Sequence, residues 1–484
     1  MKKIRIGLSA VLVFAGTYVM ADAWDIVPGL ITMKPIENQA QPYPVPDPAE
    51  LPAAPVFLAD DAAPMPSAQK VSAVLQSLAG TPELSGTKLR ALVIDAVTGT
   101  ELVNVEANQA TIPASVQKLL TTSAFLEAYG PAHRFSTKVM YDDDALYLVG
   151  GGDILLTADS QKLSAETKTS LRARGYGVPS SLSDLTSQTV TALNSKLPQS
   201  SSADSVGSPE KLYLDISLFT GPEFHESVAG DGVLDWIMPL TPIAINKGLG
   251  ADNKFISHPA EAAAQEFVKQ LASQGLNIEY AGVAQTSEAA KEIAKIDSLS
   301  VQEISNRILG DSDNSLAEVA AHLTAIKLGY PADFTGASTA ISAQLKKFGI
   351  SLDNFKVVDG SGFSEENRVT AAGIVKLLKH FWDCGDCFGT RITDGLPIAG
   401  LDGTLSGRYR TETGVASIGA GEIRAKTGTL LSANSLAGYL RTNAGRPLIF
   451  AILVEGNAPG GAKEVRSAID TAMEKILTLG GTKS

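Results

Sequence analysis

The chain has 484 residues, of which 44% are hydrophobic, 19% charged and 6% aromatic, an ordinary composition for a folded protein of about three domains. A formal net charge of −12 disfavours binding to nucleic acid. Two cysteines and five histidines exclude a disulfide-dense scaffold and a zinc-ribbon array.

The first residues have the layout of a cleavable signal peptide. A basic start precedes an uncharged apolar run, residues 6–20, and the small residues Ala21 and Ala23 follow. The alternative is an uncleaved anchor helix, but this run is short for a membrane span of about 20 residues. We therefore predict a signal peptide over residues 1–23 and an exported protein.

The next segment, residues 24–68, is rich in proline and alanine and predicts an extended linker. Order is expected from about Val71. Residues 89–95 and 101–105 are predicted as two strands joined by a turn. Residues 114–129, which follow Pro113 and end before a glycine, have the apolar spacing of a helix.

The middle of the chain is less regular. Residues 138–148 are predicted as paired strands, and residues 154–296 are interpreted as an insertion. Two helices are expected over residues 301–309 and 315–328, joined by a short polar loop.

Near the C-terminus, the sequence predicts three antiparallel strands, residues 423–429, 435–441 and 447–455, and a closing helix over 463–479. A sheet with helices from both chain ends indicates an α+β fold. We expect one catalytic domain built from residues 69–153 and 297–484, with residues 154–296 inserted into it.

The two cysteines, Cys384 and Cys387, are only two residues apart. In an exported chain they predict a small disulfide ring or two unpaired thiols. We assign them no catalytic role.

Ser115 and Lys118 form the first candidate catalytic motif. On a helix this spacing places both side chains on one face, where an amine can take the proton of a hydroxyl. Burial and a second nearby cation would lower the pKa of the amine towards the neutral form that acts as a base. Ser-x-x-Lys also occurs at Ser67, Ser85 and Ser208, so the motif is weak by itself.

Two further motifs follow in the chain. Residues 312–314 read Ser-Asp-Asn in the predicted loop between helices, where they offer a hydroxyl and an amide to a cleft, or simply cap the next helix. Residues 426–428 read Lys-Thr-Gly in a predicted strand, where a lysine and a hydroxyl suit a substrate carboxylate. The glycine allows a ligand to approach the backbone closely.

The three motifs in this order resemble those of the penicillin-recognising serine acyl-transferases. The 197 residues from Ser115 to Ser312 leave room for a large insertion, as in the D-alanyl-D-alanine carboxypeptidase/endopeptidase family, the class C low-molecular-mass penicillin-binding proteins. Four local stretches also resemble that family: 113–121 (PASVQKLLT), 150–153 (GGGD), 358–362 (VDGSG) and 400–405 (GLDGTL).

The resemblance implies a β-lactamase/DD-peptidase-like fold: an antiparallel sheet flanked by helices, plus an all-helical region. It also implies roles for matched residues. Ser115 would be the nucleophile, Lys118 its base, and Ser312 the relay of a proton to the leaving D-alanine. Asn314 would hold the peptide amide, Lys426 would supply positive potential, and Thr427 would bind the terminal carboxylate. The backbone N–H groups of Ser115 and Thr429 would form the oxyanion hole.

The chain departs from the family at residues 365–366. Some relatives have an arginine there, resembling part of a pocket for the diaminopimelate end of the stem peptide, whereas this chain has Glu365 and Glu366. We hypothesise a preference for stem peptides that end in an amine such as lysine, or that are amidated. Asp359 is interpreted as a structural turn residue, and each histidine as a surface or core residue.

The resemblance implies an exported serine D-Ala-D-Ala carboxypeptidase that acts on peptidoglycan stem peptides, is acylated by β-lactams and needs no metal or organic cofactor. Two alternatives are a β-lactamase and a wall-binding protein without turnover. Carboxypeptidase and endopeptidase action both stay open, as does the oligomeric state.

Overall fold

The computed structural model describes residues 60–142, 145–196, 209–228, 230, 232–384, 389–411, 414–456, 458 and 461–480. The predicted signal peptide, residues 24–59 of the predicted linker and Cys387 lie outside the described residues. Cys384 is disulfide-bonded, in agreement with the first of the two predicted states.

The strands are β1 (Lys88–Asp95), β2 (Glu101–Val105), β3 (Arg134–Asp142), β4 (Ala145–Val149), β5 (Asp153–Leu156), β6 (Lys211–Asp215), β7 (Ile243–Ile245), β8 (Glu279–Val283), β9 (Lys291–Ser300), β10 (Ile423–Thr429), β11 (Ala433–Arg441) and β12 (Pro447–Glu455). The helices are α1 (Ala68–Ala79), α2 (Gln117–Tyr129), α3 (Ala165–Ala173), α4 (Leu182–Lys196), α5 (Pro259–Ser273), α6 (Val301–Gly310), α7 (Asn314–Lys327), α8 (Phe334–Lys347), α9 (Ala371–Asp383), α10 (Gly389–Gly395) and α11 (Ala462–Thr478). The strands and helices predicted near both ends of the described chain are confirmed.

The main sheet joins the two ends of the chain. Its strand order is β10-β11-β12-β1-β2, and every neighbouring pair is antiparallel. The central strand β12 is buried on both faces because its apolar residues run without interruption. Alternate residues of β12 point to opposite sides: Leu453 joins the core that contains α2, whereas Phe450 joins the core that contains α1.

Helices cover both faces of this sheet. On one face, α1 and α11 bury residues such as Leu75 and Met473 against the sheet. On the other face, α2, α7, α8 and α9 form the predicted all-helical region, with Leu120, Leu316 and Ile341 in a shared core. The candidate motifs lie between the main sheet and the all-helical region, because β10 and the start of α2 meet at the edge of the sheet.

A second sheet lies in the middle of the chain. Its order is β8-β6-β4-β3-β9, with parallel pairs β4–β6 and β6–β8, and it packs on α4 and α5 around Leu212 and Phe267. Strands β3 and β4 precede residue 154 but pair with strands that follow it, so this sheet draws on both sides of the limit predicted for the insertion. The limits 154–296 stay a prediction.

The last residues of the predicted linker are part of this packed body. Asp60 N–H donates to the Gly445 carbonyl at 3.3 Å, and Ala63 is buried. Arg446 holds the segment by pairing with the buried Asp95 at 2.5 Å and bonding to the Asp61 carbonyl. Within the described ranges, no helix has the length and apolar character needed to cross a membrane.

Candidate active site

The first motif lies at the start of α2. Ser115 is the middle residue of a single 3-10 turn, Ala114–Val116, and α2 begins directly after it, so the predicted helix over 114–129 starts as a tighter turn. Ala114 has a left-handed φ of 48°, which is unfavourable for a residue with a Cβ. Ser435 Oγ fixes the turn by donating to the Pro113 carbonyl at 2.7 Å. The turn leaves Ser115 partly exposed.

Lys118 lies one turn after Ser115 and is fully buried. Its Nζ donates to three oxygen atoms: Ser115 Oγ at 2.9 Å, Asn314 Oδ1 at 2.7 Å and the Ser361 carbonyl at 2.6 Å. These three acceptors use all the donors of an ammonium group. The structure therefore brings together Ser115, Lys118 and Asn314 as the sequence predicted.

Burial lowers the pKa of Lys118 to about 8, because removing the ammonium group from water disfavours its charged form. Three nearby carboxylates oppose this effect: Asp359, Glu318 and Asp313. Burial also lowers the pKa of Lys426, and repulsion from Lys118 lowers it further. A lysine with a pKa near 8 exchanges its proton close to neutral pH, as a general base must.

The second motif occupies the junction between α6 and α7. Asp313 is the N-cap of α7, where its Oδ1 accepts the Leu316 N–H at 3.0 Å, and this confirms the predicted capping role of the loop. Ser312 has a left-handed φ of 58° and is partly exposed. Asn314, the first residue of α7, also donates from Nδ2 to the Trp236 carbonyl at 3.0 Å.

The third motif lies on β10, an edge strand of the main sheet. Lys426 is fully buried, and its Nζ donates to Ser312 Oγ at 2.8 Å and to the Thr427 carbonyl at 2.7 Å. Thr427 Oγ1 lies 2.8 Å from Thr404 Oγ1. The second and third motifs thus meet through Lys426 and Ser312.

Gly428 lets β10 approach Ser115 closely. A Cβ at this position would lie 2.1 Å from Ser435 Oγ, 2.9 Å from the Pro113 carbonyl oxygen and 3.0 Å from Ser115 N. The strand backbone therefore passes directly beside the Ser115 backbone. Thr429, the next residue and the last of β10, is exposed.

Two buried carboxylates support the Lys118 side of the site. Glu318 accepts the N–H groups of Gly360 and Ser361 at 2.9 and 2.8 Å, and Asp359 accepts those of Gly362 and Ser364 at 2.7 and 2.6 Å. The predicted turn role of Asp359 is confirmed. Burial raises the pKa of both carboxyl groups.

Residues 365–366 differ in their surroundings. Glu366 pairs with Lys356 at 2.7 Å, and hydrogen bonding to this lysine lowers the pKa of Glu366. Glu365 Oε1 accepts from Ser432 Oγ at 2.6 Å, in the turn that follows β10. Of the two carboxylates, Glu365 therefore lies nearer the strand of the third motif.

Sequence reasoning missed several residues that contact the motifs. Thr404 belongs to the quoted stretch 400–405, and Ser361 to 358–362, so a signal existed for both although no role was assigned. Glu318 and Lys247, which pairs with Asp313 at 2.7 Å, lie outside every motif. Among the described residues, no group of three His, Cys, Asp or Glu side chains could hold a metal ion.

The site places a partly exposed hydroxyl beside one buried lysine and a second hydroxyl beside another buried lysine, an arrangement that suits a serine-type peptidase. A family model described as the D-Ala-D-Ala carboxypeptidase 3 (S13) family matches residues 70–249 and 253–476. The chain belongs to this family of serine-type D-Ala-D-Ala carboxypeptidases.

Curated relatives of similar length are also named as carboxypeptidases. The chain is 30% identical over 451 residues to Carboxypeptidase DacB of Mycolicibacterium smegmatis, covering 91% of this chain and 90% of the relative. It is 26% identical over 458 residues to the D-alanyl-D-alanine carboxypeptidase of Actinomadura sp., covering 83% of both.

Among solved structures, penicillin binding protein 4 (dacB) of Haemophilus influenzae matches with a TM-score of 0.64 at 18% identity, covering 84% of this chain and 98% of that one. At this identity the match concerns the fold. It confirms the predicted α+β, β-lactamase/DD-peptidase-like fold class.

Proposed function

We propose that this carboxypeptidase is exported and removes the terminal D-alanine of peptidoglycan stem peptides through an acyl-enzyme on Ser115. The observation that carries the proposal is the 2.9 Å hydrogen bond between Nζ of the fully buried Lys118 and Oγ of the partly exposed Ser115. The relatives are named as carboxypeptidases, and the predicted signal peptide over residues 1–23 supports action outside the cytoplasm.

In the acylation step, neutral Lys118 takes the proton of Ser115 while Oγ attacks the carbonyl carbon of the penultimate D-alanine. The backbone N–H groups of Ser115 and Thr429 hold the developing oxyanion. The C–N bond then breaks as Ser312 gives its hydroxyl proton to the leaving amine of D-alanine and receives in its place the proton that Lys118 took from Ser115. Lys118, neutral again, takes a proton from water as the water attacks the ester, and it returns this proton to Ser115 Oγ as the ester bond breaks.

Substrate binding uses the remaining motif residues. Lys426 supplies positive potential at the end of the cleft, and Thr427 donates to the terminal carboxylate, with Thr404 orienting its hydroxyl. Asn314 holds the peptide amide of the substrate. No metal or organic cofactor takes part in these steps.

Penicillin presents a strained amide where the substrate has its peptide bond, so it acylates the same hydroxyl. A Haemophilus influenzae penicillin binding protein 4 structure of the same fold, with a TM-score of 0.56 and 18% identity, is complexed with a β-lactam. We infer that β-lactams inhibit this protein covalently.

Release of D-alanine from a peptide ending in D-Ala-D-Ala tests the proposal. We expect release by the wild type and by Ser67→Ala, which alters another Ser-x-x-Lys match, but loss of release in Ser115→Ala. Labelled penicillin separates the alternatives: a long-lived adduct supports the peptidase, rapid loss indicates a β-lactamase, and no adduct indicates a binding protein.

We also propose that Glu365 gives a preference for stem peptides whose side chain ends in an amine, or is amidated. Glu366 is neutralised by Lys356, whereas Glu365 lies beside the turn that follows the carboxylate-binding strand. A free ammonium group would be attracted to this carboxylate, and a second carboxylate would be repelled.

A further inference from the structure

The loop that carries Ser312 is held on both sides by side chains from the segment between the first two motifs. The residue before Ser312 is Asp311 and the residue after it is Asp313. Each aspartate pairs with a cation from that segment: Arg174 Nη2 lies 2.6 Å from Asp311 Oδ1, and Lys247 Nζ lies 2.7 Å from Asp313 Oδ2.

The Lys247–Asp313 pair is more deeply buried than the Arg174–Asp311 pair. The Asp313 side chain is 5% exposed and that of Lys247 is 30% exposed. Attraction to Asp313 raises the pKa of Lys247, which therefore stays charged. Breaking such a pair by removing one partner is costly, because the other charge is left in a poorly solvated place.

The Arg174 side is reinforced by further hydrogen bonds. Tyr176 is buried, and its hydroxyl donates to Asp311 Oδ1 at 2.9 Å. From α6, Asn306 Nδ2 donates to the Gly175 carbonyl at 2.9 Å, and Arg307 Nε donates to the Tyr176 carbonyl at 3.2 Å. The segment that contains Arg174 and Tyr176 is thus hydrogen-bonded to α6, the helix that leads into Ser312.

These contacts explain how Ser312 keeps an unfavourable backbone. Its φ of 58° is left-handed, and such strain persists only where the surroundings fix it. Lys247 itself has a φ of 59°, so the contact joins two strained backbone positions. In that conformation Ser312 Oγ accepts from Lys426 at 2.8 Å, so the hydroxyl is held beside the third motif.

We propose that Lys247, together with the Arg174–Tyr176 pair, positions Ser312 for proton transfer. The inference rests on the proposed function, since it concerns the relay serine of that mechanism. It gives the segment between the first two motifs a part in the acylation step: it supplies no reacting group but fixes the angle at which the relay hydroxyl is presented.

The test compares Lys247→Met with Lys247→Arg and with the matched control Lys254→Met. Lys254 makes an exposed pair with Asp235 in the same segment. For Lys247→Met we expect a drop of tenfold or more in the penicillin acylation rate and in kcat, with KM changed less than twofold, because a misplacement of about 1 Å costs up to 100-fold. Lys247→Arg should recover most of the rate, and Lys254→Met should match the wild type.

Wild-type acylation in Lys247→Met, or a loss that Lys247→Arg does not restore, would overturn the inference. If Lys247→Met does not fold, the double variant Arg174→Met with Tyr176→Phe decides: a lower kcat supports the inference and an unchanged kcat contradicts it. Failure of the proposed function is distinct, because the wild type itself would then form no penicillin adduct on Ser115.

Discussion

Glu318 and Lys118 are linked through a single residue: the Glu318 carboxylate accepts the Ser361 N–H at 2.8 Å, and the Ser361 carbonyl accepts from Lys118 at 2.6 Å. The position of the Lys118 amine is therefore set partly by a buried acid, which holds the Ser361 backbone. The Glu318 carboxyl group is also a buried group whose pKa is raised.

The first prediction concerns stability. Because burial raises the pKa of Glu318 above its ordinary value of 4.5, the folded state keeps a proton there that the unfolded state has lost. Stability therefore falls as pH rises from about 4.5 through the raised pKa. In Glu318→Gln, the unfolding temperature should fall less between pH 4.5 and 7 than in the wild type.

The Gln variant should also be less stable by about 1–3 kcal/mol at pH 5, because its amide nitrogen faces one of the two backbone N–H donors. The exposed Glu127→Gln on α2 is the control and should keep the wild-type pH dependence. If Glu318→Gln keeps the wild-type pH dependence of stability, that dependence does not come from Glu318.

A second prediction follows from the lowered pKa of Lys118, about 8. Only the neutral amine acts as a base, so the rate of penicillin acylation should rise with pH below 8 and level off above it. Lys118→Arg should lower the rate about 1,000-fold or more, because a guanidinium does not lose its proton. Stopped-flow acylation across pH 5–10 measures both effects.

The control for Lys118→Arg is Lys70→Arg, at the exposed Ser-x-x-Lys match on α1. It should acylate at the wild-type rate. A flat pH profile for the wild type, or full activity in Lys118→Arg, would show that another group accepts the proton.

A third prediction concerns Gly428. A methyl group there would lie 2.1 Å from Ser435 Oγ and 3.0 Å from Ser115 N, so Ser115 or the strand must move. Gly428→Ala should slow acylation by about 100-fold. Gly407→Ala, where nothing lies within 4 Å of the added carbon, should behave as the wild type. Equal acylation rates for the two variants would contradict the close packing of Gly428 against Ser115 and Ser435.

The fourth prediction concerns specificity at Glu365. The wild type should have a higher kcat/KM for lysine-type or amidated peptides than for free diaminopimelate-type peptides, and Glu365→Arg should reverse the order because it reverses the local charge. Glu366→Gln should change the ratio little, since Glu366 is already paired with Lys356. A wild-type preference for free diaminopimelate peptides would remove the basis of this proposal.

The sequence was informative where local pattern determines structure. The uninterrupted apolar run of β12 predicted a strand, and the spacing of Ser115 and Lys118 predicted their contact. Contacts between distant residues left no such pattern: Lys247 and Asp313 are 66 residues apart, and Glu318 and Ser361 are 43 apart. Of the second sheet, the sequence predicted only the paired strands over residues 138–148, which are β3 and β4. The rest was missed for the same reason, because β4 pairs in parallel with β6 across two intervening helices.

The most direct test of the account is to locate the covalent bond formed with penicillin. After brief exposure, mass spectrometry of the intact protein should show one added penicillin, and the proteolytic peptide that carries it should contain the adduct on Ser115. Ser115→Ala should show no added mass. An adduct on any other side chain, or an unchanged adduct in Ser115→Ala, would contradict the assignment of Ser115 as the nucleophile.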